Sequence, residues 1–199
     1  MYQMTCRTAE SVKGAIETMV KDFSVATNVP SVEGVNSCLQ WMPPPNGWIK
    51  VNVDAAFCIT TRSATLGMVA RNEKYDMCYS AVTKSEDTDT PLLAEIKAIL
   101  FGVQVVNEMN SQKIQLESDC LMAIKEISKK QESFCEWSSL LFDILDLSTE
   151  FDSCVFYHVS RKVNGLAHNI ATFQCELGSH RIWRNALPFL ICNPDSFPT

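Results

Sequence analysis

No apolar run in the 199 residues approaches the roughly 18–20 that a membrane-spanning helix needs. The opening residues, MYQMTCRTAESVKG, lack the basic-then-apolar layout of a secretory signal. No two cysteines stand at C-x-x-C spacing, and the nine present are odd in number and scattered. That pattern argues against a disulfide framework and against a zinc knuckle, and it favours a reducing compartment in which most thiols are core residues. No basic cluster of the nuclear-localisation type stands out, and no internal repeat is visible. Together these absences predict a soluble, intracellular protein, nuclear or cytoplasmic, with no membrane partner.

Positive charge is also scarce. The net charge of −6 is awkward for a nucleic-acid binder, because Lys and Arg make the phosphate contacts. Yet charge is uneven: Arg161, Lys162, Arg181 and Arg184 in the last third face little local acid. A carboxylate cluster that binds metal would itself make the bare chain acidic, so net charge weakens a nucleic-acid reading without removing it.

What is present is globular composition, 46% hydrophobic and 20% charged, in a length that suits one domain with a short appendage. In residues 9–26, Val12, Ala15, Ile16, Met19, Val20 and Phe23 recur at helical spacing. Three prolines, Pro43 to Pro45, and Gly47 then favour an extended linker. The division expected is a helical appendage over 1–40, a proline-rich linker over 41–47 and a domain over 48–195. Within the domain, strands are predicted at 48–57, 65–71 and 77–83, then a helix at 91–109 opened by Pro91. A strand at 113–118, helices at about 119–130 and 136–149, a strand at 153–159 and a helix at about 164–176 follow. This order predicts an α/β fold with a five-stranded mixed sheet, an antiparallel meander followed by parallel strands, flanked by helices.

Three acids stand out. In WIKVNVDAAFC, Ile49, Val51, Val53, Ala55 and Phe57 alternate with Lys50, Asn52 and Asp54, placing a carboxylate on the polar side of a strand where Asp is disfavoured. Glu95 lies at the edge of the apolar stripe formed by Leu92, Ile96, Ile99, Leu100, Val103 and Val106, and by itself reads as a solvated helix-rim residue. Asp119 follows a strand and opens a helix, and by itself reads as an N-cap. If strands 48–57 and 113–118 are parallel neighbours, however, Asp54 and Asp119 meet at one end of the sheet, and Glu95 rides on the crossover helix between them. Three carboxylates held together repel by several kcal/mol and require a cation. An all-oxygen ligand set selects Mg²⁺ or Mn²⁺.

Five segments in order carry a resemblance: GWIKVNVDAAF, LGMVARN, LLAEIKAILFGV, IQLESDCLMAI and HVSRKVNGLAHNIA. Over roughly residues 41–195 the chain resembles the type 1 ribonuclease H fold, with most likeness to plant ribonuclease H-like domains related to those of non-LTR retrotransposon reverse transcriptases. The tail IWRNALPFLI resembles theirs as well. The resemblance implies an endonuclease that cuts the RNA strand of RNA–DNA hybrids without sequence preference, using two Mg²⁺ or Mn²⁺ ions; a monomer is expected, although nothing in the sequence fixes the oligomeric state. It implies that Asp54, Glu95 and Asp119 hold the metal, Asp54 bridging both ions. It gives His158 a part in proton transfer or product release, the alternative being a strand-end imidazole that bonds backbone. Asn52, Asn164 and Arg161 are the expected substrate contacts, although either asparagine could instead satisfy neighbouring backbone. Trp41 and Trp183 lie outside the motifs and read as packing residues.

The chain departs from that pattern at three places. His168 stands where ribonucleases H carry a fourth acid, as plant-type domains often do. It could orient a water or accept a proton, but it ligates Mg²⁺ poorly. The second ion site is therefore expected to be weak and any activity Mn²⁺-favoured. Ala55 replaces the glycine that usually follows the first aspartate. The basic substrate-binding extension is missing, since KKQESFCEWSS offers only Lys129 and Lys130, so hybrid affinity is expected to be low and steeply salt-dependent. These departures favour the alternative of a catalytically weak or inactive nucleic-acid-binding or interaction module.

Overall fold

A computed structural model describes residues 40–129, 136–173 and 180–188. The helix expected at 9–26 lies outside these residues, as does the end of the one expected to reach 176. The first three strands form the expected meander: β1 (Ile49–Cys58), β2 (Ser63–Arg71) and β3 (Met77–Ser85), each antiparallel to the next. Helix α1 (Pro91–Glu108) begins where Thr90 Oγ1 accepts a hydrogen bond from the Leu93 amide at 3.1 Å. Pro91 costs nothing there because its missing N–H has no intrahelical partner to lose. The helix crosses to β4 (Lys113–Ser118), which lies parallel to β1. Then come α2 (Leu121–Ser128), α3 (Ser138–Ser148), β5 (Ser153–His158, parallel to β4) and α4 (Gly165–Ala171).

The sheet has six strands rather than five, in the order β5-β4-β1-β2-β3-β6. The added strand, β6 (Arg181–Arg184), pairs antiparallel with the outer edge of β3. Its four residues, RIWR, are too few to show a two-residue period against charged ends. Their alternation is nevertheless real, since Ile182 packs into the larger core and Trp183 into the smaller one.

Those two cores occupy opposite faces of the sheet. On one, Val51, Val53, Ile114 and Leu116 pack against Ile96, Ile99 and Val103 of α1, with Ile124 and Ile127 of α2 and Ile144 of α3 completing the layer. Gly102 makes this contact close: a Cβ there would lie 2.5 Å from Val53 Cγ1. On the other, Val69 and Val82 meet Ala167 and Ile170 of the short α4. The alternation of β1 thus sends Val51 and Val53 to the α1 side and Lys50, Asn52 and Asp54 to the α4 side, where all three polar residues are buried.

Residues 41–47 form neither helix nor strand, and they rest on the domain: Pro44 is buried, and Lys50 Nζ donates to the Met42 carbonyl at 2.7 Å. The expectation for the thiols can be followed only at the cysteines among the described residues. Of the four cysteines described, only Cys154 is buried, and Cys58 is exposed at the end of β1; all four are free. Among the described residues no helix is long and apolar enough to cross a membrane.

Candidate active site

Register brings the acids together. The parallel pairing of β1 with β4 ends at Val53 opposite Ser118, so the next residues along each chain are Asp54 and Asp119. Asp119 does not cap α2. The helix starts two residues later, with Cys120 at the cap position and its amide donating to Ser118 Oγ at 3.1 Å. The Asp119 carboxylate is therefore left to face Asp54. Glu95 comes from the second turn of α1, which the close approach at Gly102 draws down onto β1. One carboxylate oxygen from each of Asp54, Glu95 and Asp119 lies within 4.8 Å of the others.

The electrostatics are those of a site short of positive charge. Burial, with the neighbouring charges of Asp54 and Asp119, pushes the Glu95 carboxyl up to about 8. Glu95 Oε2 is buried with no hydrogen-bond partner among the described residues, so Glu95 is not the solvated rim residue its sequence position implied. Burial also raises Asp54 to about 6, opposed by the hydrogen bond from His168. A buried oxygen without a partner and three crowded carboxylates form a donor set that fits a hard divalent cation bound through oxygen.

His168 is the fourth group at the site. Gly165 opens α4 one turn earlier, and His168 Nδ1 lies 2.8 Å from Asp54 Oδ2. Arg161, 76% exposed, places Nε 3.7 Å from Asp119 Oδ2. Asn164 is buried. Its Nδ2 donates to the Val53 carbonyl at 2.8 Å and to Asp119 Oδ1 at 3.1 Å, tying the backbone just before Asp54 to the Asp119 side chain.

His158 and Asn52 are the remaining expected residues. His158 is exposed at the end of β5, its backbone opposite Ser118, and its ring has no hydrogen bond among the described residues. Asn52 is not available to a substrate. It is fully buried, Oδ1 accepts from Trp41 Nε1 and Arg71 Nη2 (both 2.9 Å), and Nδ2 donates to Glu117 Oε2 at 2.8 Å and to Asn164 Oδ1 at 3.3 Å. Two lone pairs and two donors are thereby all used. The residues overlooked in sequence are the ones that complete this network. Lys50 pairs with Glu117 Oε1 at 2.8 Å, and Arg71 stacks on Trp41 with Cζ 3.6 Å from the ring centroid. Desolvation lowers the Arg71 guanidinium to about 10. The signal for them was the run of polar side chains at 50, 52 and 54 in a strand too central to be half exposed.

A family model described as reverse transcriptase-like matches residues 52–174. The chain belongs to the reverse transcriptase-like family. The match contains every acid of the site, together with His158, Arg161, Asn164 and His168. No curated protein matches the chain. Solved structures similar to this reverse transcriptase-like domain include ribonucleases H, at identities that speak to the fold alone. The RNase H1 of the archaeon Halobacterium salinarum shares 18% identity and a TM-score of 0.58, over 62% of this chain and 94% of that one. The N-terminal RNase H domain of a Mycobacterium tuberculosis protein gives 14% and 0.57, over 62% and 90%. LC11-RNase H1, from compost and solved with an RNA/DNA hybrid, gives 16% and 0.55, over 61% and 92%. The reverse transcriptase-like chain thus has the ribonuclease H fold.

Proposed function

We propose that the chain is a metal-dependent endonuclease that cleaves the RNA strand of RNA–DNA hybrids without sequence preference. The observation that carries this reading is the convergence of Asp54, Glu95 and Asp119 from β1, α1 and the end of β4, with one buried Glu95 oxygen unsatisfied. These three residues would hold Mg²⁺ or Mn²⁺. Ions bound there would stabilise the charge that develops on the attacking and leaving oxygens of a phosphodiester. The chain's own residues supply the rest. Asn164 holds Asp119 at a set distance from β1, and Arg161 offers an exposed guanidinium beside that carboxylate for a phosphate oxygen. His168, anchored on Asp54, keeps its other ring nitrogen for a water or a proton. The hybrid bound by LC11-RNase H1 supports the choice of substrate, since that protein shares the fold. A hybrid's shallow minor groove bears 2′-hydroxyls on one strand only, so neutral donors can tell the strands apart without a large basic patch.

Hybrid cleavage with a labelled RNA strand tests the reading, with Asp54→Asn run beside the wild type in Mg²⁺ and in Mn²⁺. Loss of a ligand should exceed the 10–100-fold typical of an outer partner, so the variant is expected to fall by more than about 100-fold. The imidazole seated on Asp54 Oδ2, together with Ala55, favours a second reading, a hybrid-binding module with little or no cleavage. Retained hybrid binding with no cleavage at low salt would establish it.

A further inference from the structure

Trp41 stands before the matched domain, in a segment that reads as linker, and nothing in the motif pattern gives it a role. Its position in the hydrogen-bond network is specific. The indole Nε1 donates to Asn52 Oδ1 at 2.9 Å; Asn52 Nδ2 donates to Asn164 Oδ1 at 3.3 Å; Asn164 Nδ2 donates to Asp119 Oδ1 at 3.1 Å and to the Val53 carbonyl at 2.8 Å. Only one orientation of the Asn52 amide serves all its neighbours. Turned over, it would set its oxygen against the Glu117 carboxylate and its NH₂ against the donors of Trp41 and Arg71. The same orientation presents the Asn52 NH₂ to Asn164, so that the Asn164 NH₂ must face Asp119 and the backbone before Asp54.

We infer that Trp41 is a positioning residue for the metal site, acting through Asn52 and Asn164 to fix the orientation of the Asp119 carboxylate relative to Asp54. The inference deepens the proposed nuclease reading and rests on it for the ion. Two features make Trp41 a fixed end for the chain of bonds. Its ring lies against the Arg71 guanidinium and within 5.5 Å of Lys50 Nζ, and the next residue, Met42, is tied by its carbonyl to the same lysine. Arg71 alone cannot replace the indole. Arg71 and Glu117 still set which way the Asn52 amide faces, but Arg71 fills only one lone pair of Oδ1. Loss of the N–H leaves that buried acceptor half satisfied and removes the restraint that holds the amide at its distance from Asn164. Residues ahead of the family motifs thereby belong to the site, and a domain trimmed to begin at Trp48 would lack them.

Trp41→Phe tests this, because it keeps an aromatic ring on Arg71 and removes only the N–H. The readouts are Mn²⁺ affinity by calorimetry, the side-chain amide NMR signals of Asn52 and Asn164 without metal, and the melting temperature. The expected result is an about 10-fold loss of Mn²⁺ affinity, at the low end for an outer partner, with both amide signals displaced and the melting temperature close to wild type. Trp41→Ala should add a drop in melting temperature while weakening Mn²⁺ little further. Phenylalanine behaving as wild type in affinity and in the Asn164 signal would overturn the inference and leave Trp41 a packing residue. A wild type that takes up no Mn²⁺ would sink the nuclease reading instead, and the Asn164 signal in Trp41→Phe would then decide the relay by itself.

Discussion

The His168 imidazole and a cation held as proposed would compete for one oxygen. With Nδ1 2.8 Å from Asp54 Oδ2, the ring donates to the carboxylate that the metal reading assigns to both ions, and it adds a nitrogen where a hard ion prefers oxygen. His168→Asp removes the donor and supplies a fourth carboxylate. It is expected to raise cleavage in Mg²⁺ relative to Mn²⁺ by about 10-fold, the scale of a change beside a metal ligand. Rates measured across a concentration series of each ion check this, and an unchanged ratio would show that His168 does not limit the use of Mg²⁺. Glu95 shows how a residue-level reading can reverse. Its place at the edge of the α1 stripe was visible in the sequence, but rim position does not separate a solvated carboxylate from one turned toward the ends of the central strands. Only its neighbours distinguish the two, and they lie 41 and 24 residues away, at Asp54 and Asp119.

Helix α4 reaches Asp54 because β2 has no side chain at the crossing point. Gly67 pairs with Asp54 across the sheet, and a Cβ on it would lie 2.5 Å from the Ala171 nitrogen, 2.9 Å from its Cα and 3.0 Å from the Ala167 carbonyl oxygen. These are backbone atoms, which cannot rotate aside. Gly67→Ala is therefore expected to lift α4, to destabilise the chain by about 1–3 kcal/mol, and to detach His168 from Asp54. Urea denaturation reports the first effect and the His168 ring NMR signals the second. A variant of wild-type stability would mean that the helix is not seated as tightly as these distances require. In LGMVARN the glycine is legible, but its reason is not, because the helix it admits lies a hundred residues downstream. The same limit applies to Asp119. A helix was expected to begin on it, and the helix instead begins two residues later, leaving the carboxylate free of a capping role and facing Asp54.

For the whole molecule the raised carboxyls set the pH response. Glu95 at about 8 and Asp54 at about 6 both lie above their ordinary values of 4.5 and 3.8. Between those limits the folded chain binds more protons than the unfolded one, so stability is greatest at the acidic end of the window and falls as pH rises toward about 8. A divalent cation bound as proposed would take over the protons' role, and its stabilising effect should grow over the same interval. Melting temperatures from pH 5 to 9, with and without Mn²⁺, are expected to converge at low pH and separate as pH rises. Glu95→Gln should flatten the metal-free curve above pH 6. A gap independent of pH would remove the carboxyl cluster as the ion's site.

The sequence by itself determined the order of elements, the central place of β1 and the identity of the three acids, because two-residue and helical periods are local and an Asp in a buried strand is conspicuous. It also identified His168 as the departure from four acids. Tertiary structure decided the rest. Parallel register set Asp54 beside Asp119, the glycine contacts at 67 and 102 brought α4 and α1 close enough to deliver His168 and Glu95, and a four-residue β6 extended the sheet beyond β3. It likewise turned Asn52 from a substrate contact into a buried junction and drew Trp41 into the network. Local patterns report which way a side chain points. What it meets there depends on contacts between residues far apart in the chain, and a hydrogen-bonding side chain takes its role from its partner.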